Sequence, residues 1–299
     1  MPLIGFLSTL ARDDSDVPMR VEAFTKGLAA LGWIEGKTVR IEQRWAGGNP
    51  ALIEPYVAEL VALKPDAILA NGTAVVEALK KATTSIPVVC ALVIDPVGLG
   101  LVQSLGRPGG NITGFTFINA ELLGKWWSLL VEIAPSTRRV ALLHNPEINP
   151  QYLGFVREIA RQGGPSIEMT TVRDRDSLQS AVAALSSARD AAAMIPPDAF
   201  LIGHIEEVAA LTLSSRLPAV SVYQPFAAKG GLMSYGPDVA DIFRRSAGYI
   251  DRILKGARPA DLPVQQPDLY NFTINLGTAR KMGLAPSQAL LAQADQVIE

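Results

Sequence analysis

The stretch DPVGLGLVQSLGRPGGNITG, Asp95 to Gly114, holds six glycines and two prolines. Glycine and proline at this density punctuate a chain. Between them Leu99, Leu101, Val102 and Leu105 form an apolar run that reads as a short helix. Ile112, Gly114 and Phe115 then continue as a strand. The stretch marks the passage from one α/β half to a second, and the chain is organised on either side of it.

Upstream, short apolar strands at 3–7, 67–70 and 87–92, and a strand at 39–43 in which Val39, Ile41 and Gln43 alternate with polar neighbours, are interleaved with helical patterns. In the first helix Phe24, Leu28 and Leu31 share a face and Gly32 ends it; Ser15 or Asp16 is placed to cap it. Downstream the pattern restarts with a helix at 122–133 carrying Trp126-Trp127. Strands at 140–143, 167–172, 191–195 and 219–222 follow, separated by helices, the first capped by Asn149-Pro150; after Tyr223-Gln224 a further strand comes at 232–235. Residues 238–255 form an amphipathic helix with Ile242, Phe243, Ile250 and Ile253 on one face. Residues 258–263 read as a second passage between halves, before a last strand at 269–274 and a helix. This alternation predicts parallel sheets with helices on both faces. Continuous apolar strands fit that arrangement, because such strands are buried on both sides.

The 299 residues suffice for two domains, and 48% hydrophobic content supplies their cores. A net charge of −2 offers no basic surface for nucleic acid. Cys90 is the single cysteine, so no internal disulfide forms, and it reads as a small buried strand residue. Two histidines, His144 and His204, are too few for a histidine-based metal site. Asp13, Asp14 and Asp16 read as a solvated loop rather than a metal site. No apolar run reaches the length of a membrane span. Met1-Pro2 leads directly into the first strand with no signal-peptide pattern.

Ligands of open parallel sheets bind beyond the carboxyl ends of the strands. That rule selects Ser8, Thr9, Asn71, Gly72, Thr73, Asp95, Asn145, Asp198, Tyr223, Gln224 and Tyr235 as candidates. Helix N-termini at the same edge favour an anion. Each residue also has a plainer use. Thr73 and Asp198 serve equally as helix caps, Asp95-Pro96 and Asn145-Pro146 as turns, and Tyr223 and Tyr235 as core residues with a wet edge. The dinucleotide, P-loop, nucleophile-elbow and zinc-protease motifs are absent, so no catalytic residue is assigned.

The Asp95–Gly114 segment resembles the central signature of the periplasmic substrate-binding proteins of ABC transporters, tryptophan/tyrosine-binding type. LHNPEINP, RLPAVSVYQPFAAKGGLMSYGPDVADIFRRSAGYIDRILKGARPADLPVQQP and NFTINLGTARKMGL match further signatures in order. The resemblance implies a type I periplasmic-binding-protein fold: α/β, two Rossmann-like lobes with parallel sheets joined by a three-strand hinge, and a ligand cleft between the lobes. Lobe 1 would be 1–115 with 238–263, and lobe 2 would be 116–237 with 264–299. By position, the ligand carboxylate falls to Ser8, Thr9, Thr73 and Ala74, and the amino group to Asp198 in Pro196-Pro197-Asp198. Ala199-Phe200 stands where the family often has Asn or Ser, and Tyr223-Gln224 where a small residue and an acid are common.

The function implied is that of a receptor delivering an amino acid or related aromatic or carboxylate compound to an ABC permease. It would act in the periplasm after removal of a signal peptide, as a monomer, without cofactor or metal. A ligand sensor of the same fold is the alternative. An enzyme using Asp95, Asp198 or His144 ranks below both, since its motifs are missing.

Overall fold

A computed structural model describes residues 1–14, 16–147, 150–188 and 190–299. The capping roles expected of Ser15 and Asn149 lie outside them. In chain order the first half runs β1 (Leu3–Ser8), α1 (Val17–Ala30), β2 (Arg40–Trp45), α2 (Ile53–Ala62), β3 (Ala67–Asn71), α3 (Thr73–Ala82), β4 (Val88–Val93) and β5 (Ile112–Thr116). Next come α4 (Ala120–Ile133), β6 (Arg139–His144), α5 (Tyr152–Arg161), β7 (Ile167–Thr171), α6 (Arg175–Ser187) and β8 (Ala191–Ile195). They are followed by α7 (Ala199–Gly203), α8 (Ile205–Ser214), β9 (Ala219–Ser221), α9 (Gln224–Ala228) and β10 (Met233–Pro237). The chain closes with α10 (Val239–Leu254), β11 (Tyr270–Asn275), α11 (Leu276–Met282), α12 (Gln288–Leu291) and β12 (Gln296–Ile298).

These elements form two α/β units, Met1–Ile118 with Asp238–Leu269, and Asn119–Pro237 with Tyr270–Glu299. In unit 1 the strands are all parallel, in the order β2-β1-β3-β4-β5. Every residue of β1, β3 and β4 is buried, because helices cover both faces of the sheet. The stripe Val17, Arg20, Phe24 and Leu28 turns α1 inward, and a β-carbon on Gly27 would lie 2.9 Å from Ala247 Cβ of α10. Leu31, expected on that face, is exposed: α1 ends at Ala30, and Gly32 leaves it at φ +92°.

Unit 2 carries a seven-stranded sheet, β12-β11-β10-β9-β8-β6-β7, parallel except where β10 meets β11. Counted from β6, its first five strands repeat the 2-1-3-4-5 order of unit 1. Trp126 of α4 is fully buried, and its indole N–H donates to the Tyr235 carbonyl at 2.7 Å. The short helices α7, α9 and α12 and the strand β12 have no counterpart in the sequence reading; at three to five residues each they show no usable period.

The stretch from Asp95 to Asn111 is a chain of turns and bends, not the expected short helix. Asp95, Gly100 and Gly109 take positive φ, which a right-handed helix does not accommodate. Leu101 and Val102 nevertheless join the core with Val88, Cys90 and Ile112. The apolar spacing thus records burial without helix.

Where this stretch ends, β5 presses on β4. Gly114 has φ +133°, and a β-carbon there would lie 2.1 Å from the Cys90 carbonyl oxygen. The β4–β5 register shifts between Cys90 and Val93, with Leu92 at φ +60°. We predict that Gly114→Ala destabilises the protein by about 3 kcal/mol or more, from strain and overpacking together. Urea unfolding measures this, and a loss below about 0.5 kcal/mol contradicts the account.

Candidate ligand-binding site

In a sheet of order 2-1-3-4-5, the first connection and the later ones leave toward opposite faces. A crevice therefore opens between the first and third strands, outside their carboxyl ends. In unit 1 this point lies between Ser8-Thr9, after β1, and Asn71-Gly72-Thr73, after β3.

The two loops are bonded to each other and to their neighbours. Thr9 N–H donates to the Asn71 carbonyl at 3.4 Å, Gly48 N–H to the Thr9 carbonyl at 2.7 Å, and Ala46 N–H to the Ser8 carbonyl at 2.9 Å. Gly72 adopts φ +96°, and a β-carbon on it would approach Thr9 Cγ2 to 2.9 Å. Its N–H donates to the Ala91 carbonyl at 3.0 Å, and Thr73 Oγ1 accepts from Ile94 N–H at 3.1 Å. Thr73 thus uses its side chain to tie β4 down. α3 starts at Thr73 with Gly72 as N-cap and no side-chain cap. The first N–H groups of a helix have no intrahelical partner, so the backbone N–H groups of Thr73 and Ala74 are available donors at the positive end of the helix dipole.

Other candidates in unit 1 serve turns or loops. Ser8 is buried, and its Oγ accepts from Leu10 N–H at 3.2 Å. Asp95 Oδ1 accepts from Gly98 N–H at 2.9 Å, which is the turn reading. One residue the sequence reading passed over is Arg20. It is 6% exposed on the inner stripe of α1, and it reaches Asn71, itself 2% exposed. An arginine at an apolar-stripe position was the available signal.

Unit 2 builds the equivalent point from β6 and β8. His144 ends β6 buried, with Nδ1 3.4 Å from the Thr170 carbonyl. Burial is the main influence on its imidazolium and holds its pKa below the ordinary value. Asn145 Oδ1 accepts from Glu147 N–H at 3.0 Å, again a turn. Asp198 follows β8, is 2% exposed, and caps α7 by accepting from Phe200 N–H at 2.9 Å and Leu201 N–H at 3.3 Å. Tyr152, also missed from sequence, is fully buried and donates its hydroxyl to the Pro197 carbonyl at 2.8 Å. Burial first, then the charges of Tyr223 and Asp198, push its pKa well above the usual range. The hydroxyl therefore stays a donor and pins the loop that carries Asp198.

The remaining three candidates differ. Tyr223 lies close enough to Tyr152 to help raise its pKa. Gln224 is committed to β11: its Nε2 donates to the Asn271 carbonyl at 3.2 Å and its Oε1 accepts from Thr273 Oγ1 at 3.1 Å. Tyr235 stacks on Tyr270 at 5.4 Å with Phe272 edge-on at 5.8 Å, so its ring has a packing role. Phe200 packs against His204 with ring centroids 4.4 Å apart and planes tilted by 32°, and the two line a depression of 430 Å³ beside Asp174 and Arg175. Asp174 is used in the α6 capping box, and Arg175 pairs with Glu207. Cys90 is buried, its thiol pushed up to about 12 by desolvation, which suits a packing residue. Among the described residues, no group of three or more His, Cys, Asp or Glu is placed to hold a metal ion.

Residues 11–298 match the family described as ABC transporter substrate binding protein. The chain belongs to that family. This substrate-binding protein is 22% identical over 265 residues to a "Tyrosine-binding protein" of Clostridioides difficile, covering 88% of this chain and 76% of the relative. It is similar to a crystal structure of a conserved domain protein from Vibrio cholerae, with 25% identity, a TM-score of 0.88 and 99% of each chain covered. An ABC domain in complex with L-Trp from Streptococcus pneumonia matches at 26% identity and a TM-score of 0.87, again over 99% of each chain. Among the described residues, no helix of the substrate-binding protein is long and apolar enough to cross a membrane.

The depressed pKa of His144 gives stability a pH dependence. In the unfolded chain the imidazole takes up a proton near pH 6.5, while the folded state resists it. The unfolded state then binds more protons, so this contribution is intact above about pH 6.5 and is lost as pH falls toward the folded-state value. We predict that the unfolding free energy falls between pH 7.5 and 5.5, and falls less in His144→Gln. Urea titrations at both pH values measure the difference; equal slopes for the two proteins contradict it.

Proposed function

We propose that this protein is an extracytoplasmic receptor for an amino acid-like solute, and that it hands the solute to an ABC permease. In this reading unit 1 takes the carboxylate on the N–H groups of Thr73 and Ala74 with the Ser8-Thr9 loop. Unit 2 takes the ammonium group on Asp198, beside the rings of Tyr152 and Tyr223. The observation that carries it is the difference in chemistry between the strand-end edges of the two units. One strand-end edge offers backbone donors at the start of a ten-residue helix, and the other offers a buried carboxylate among tyrosines. A zwitterion matches both.

Family membership supports the transport role. The Tyr-binding relative and the L-Trp complex support an aromatic side chain on the ligand. Action as a monomer in the periplasm belongs to the same proposal.

The test must separate the Asp198 charge from its cap. Asp198→Ala removes both, and losing an N-cap costs about 1 kcal/mol by itself. Asn caps as well as Asp, so Asp198→Asn keeps the fold and removes the charge. We predict that Asp198→Asn weakens L-tryptophan or L-tyrosine by about 2 kcal/mol, on the order of thirtyfold, with the melting temperature nearly unchanged. Titration calorimetry reads this. Unchanged affinity removes Asp198 from the site, and no binding of either amino acid by the unaltered protein overturns the ligand class.

A further inference from the structure

Arg20 is difficult to explain as packing. It occupies an inward position of α1 between Val17 and Phe24, where an apolar residue completes the stripe. Its guanidinium instead brings a charge to a site that is 6% exposed. Nη2 donates to Asp16 Oδ2 at 2.9 Å, Nη1 donates to Asn71 Oδ1 at 3.3 Å, and the group lies 5.9 Å from the Phe243 ring centroid. Its Nε is buried and has no partner among the described residues. Burying a charge with one donor unsatisfied is costly, so the arrangement calls for a reason beyond stability.

That reason lies in what Arg20 does to Asn71. A guanidinium only donates. The atom of the Asn71 amide that meets it is therefore the oxygen, and the amide orientation is fixed by chemistry. Nδ2, with its two donors, must then point away from Arg20. Among the described residues Nδ2 has no hydrogen-bond partner, and it is not among the buried unpartnered atoms, so solvent reaches it. Asn71 is the last residue of β3, directly before Gly72 and the first N–H groups of α3. It stands two residues before Thr73, at the same strand end as the donors of Thr73 and Ala74.

The geometry points to Arg20 as a positioning residue for ligand recognition: it turns the Asn71 amide so that the end of β3 presents donors alone, selecting a carboxylate over a neutral or cationic group. This rests on the amino acid-receptor reading above. Arg20 touches no ligand itself, and its effect passes through Asn71. An amide free to flip would offer its oxygen half the time and repel a carboxylate.

The experiment compares the unaltered protein with Arg20→Met, Asn71→Asp, Asn71→Ala and the Arg20→Met/Asn71→Ala double variant. Calorimetry with L-tryptophan is set against tryptamine, which lacks the carboxylate. Asn71→Asp keeps an acceptor for Arg20 and replaces only the outward donor, so it folds even if Arg20→Met does not. The expected result is a loss of tenfold or more for L-tryptophan in Arg20→Met, a larger loss in Asn71→Asp, and less than a threefold change for tryptamine in both. The double variant is expected to bind no more weakly than Asn71→Ala. Equal losses for both ligands, additive losses, or unchanged L-tryptophan binding in Asn71→Asp overturn the proposal. A ligand-free arm follows the Asn71 side-chain NH2 resonances by NMR. They shift or broaden in Arg20→Met if Arg20 aims the amide, and unchanged resonances overturn it. Should the unaltered protein bind no L-tryptophan, the ligand reading fails and the NMR arm alone decides the role of Arg20.

Discussion

At φ +96°, Gly72 lets the turn from β3 into α3 lie against Thr9, 2.9 Å from where its own β-carbon would stand. No other residue type takes that backbone at so short a distance without displacing the first loop. Because the approach is close, Thr9 N–H reaches the Asn71 carbonyl and Gly72 N–H reaches Ala91. The loops after β1, β3 and β4 become one bonded surface. α3 then starts at the sheet edge with its first N–H groups uncapped by side chains. The donor row of unit 1 follows from this contact.

Unit 2 repeats the 2-1-3-4-5 strand order but finishes its edge by other means. Side chains replace glycine geometry there. The Tyr152 hydroxyl holds the Pro197 carbonyl, Asp198 caps α7, and Ser221 Oγ donates to the Ile195 carbonyl at 3.3 Å. The consequence is opposite in charge. Unit 1 exposes donors, whereas unit 2 gathers a buried carboxylate and tyrosine hydroxyls. The same topology carries complementary chemistry because the switch-point loops are free to differ while the apolar strands are not.

Much of the fold was legible in sequence for a plain reason. β1, β3, β4, β6 and β8 are buried on both faces, so they are short and apolar, and α10 carries its amphipathic period over sixteen residues. The strand ends then followed from the parallel-sheet rule. Less legible was what each end does. Asp95 and Asn145 close turns, and Gln224 binds β11, because polar residues at loop starts serve backbone groups as readily as ligands. The apolar spacing of Leu99, Leu101, Val102 and Leu105 imitated a helix that positive-φ residues forbid. Arg20 and Tyr152 escaped notice since each sits inside a helical stripe, and only their buried partners reveal a purpose.

On the proposed function, the β1–β3 edge of unit 1 holds an anionic group on the N–H donors of Thr73 and Ala74. A crystal structure of the protein with L-tryptophan or L-tyrosine tests it most directly. The ligand carboxylate is expected within hydrogen-bond distance of those two N–H groups. A carboxylate bound elsewhere, with the start of α3 turned to solvent, would contradict it.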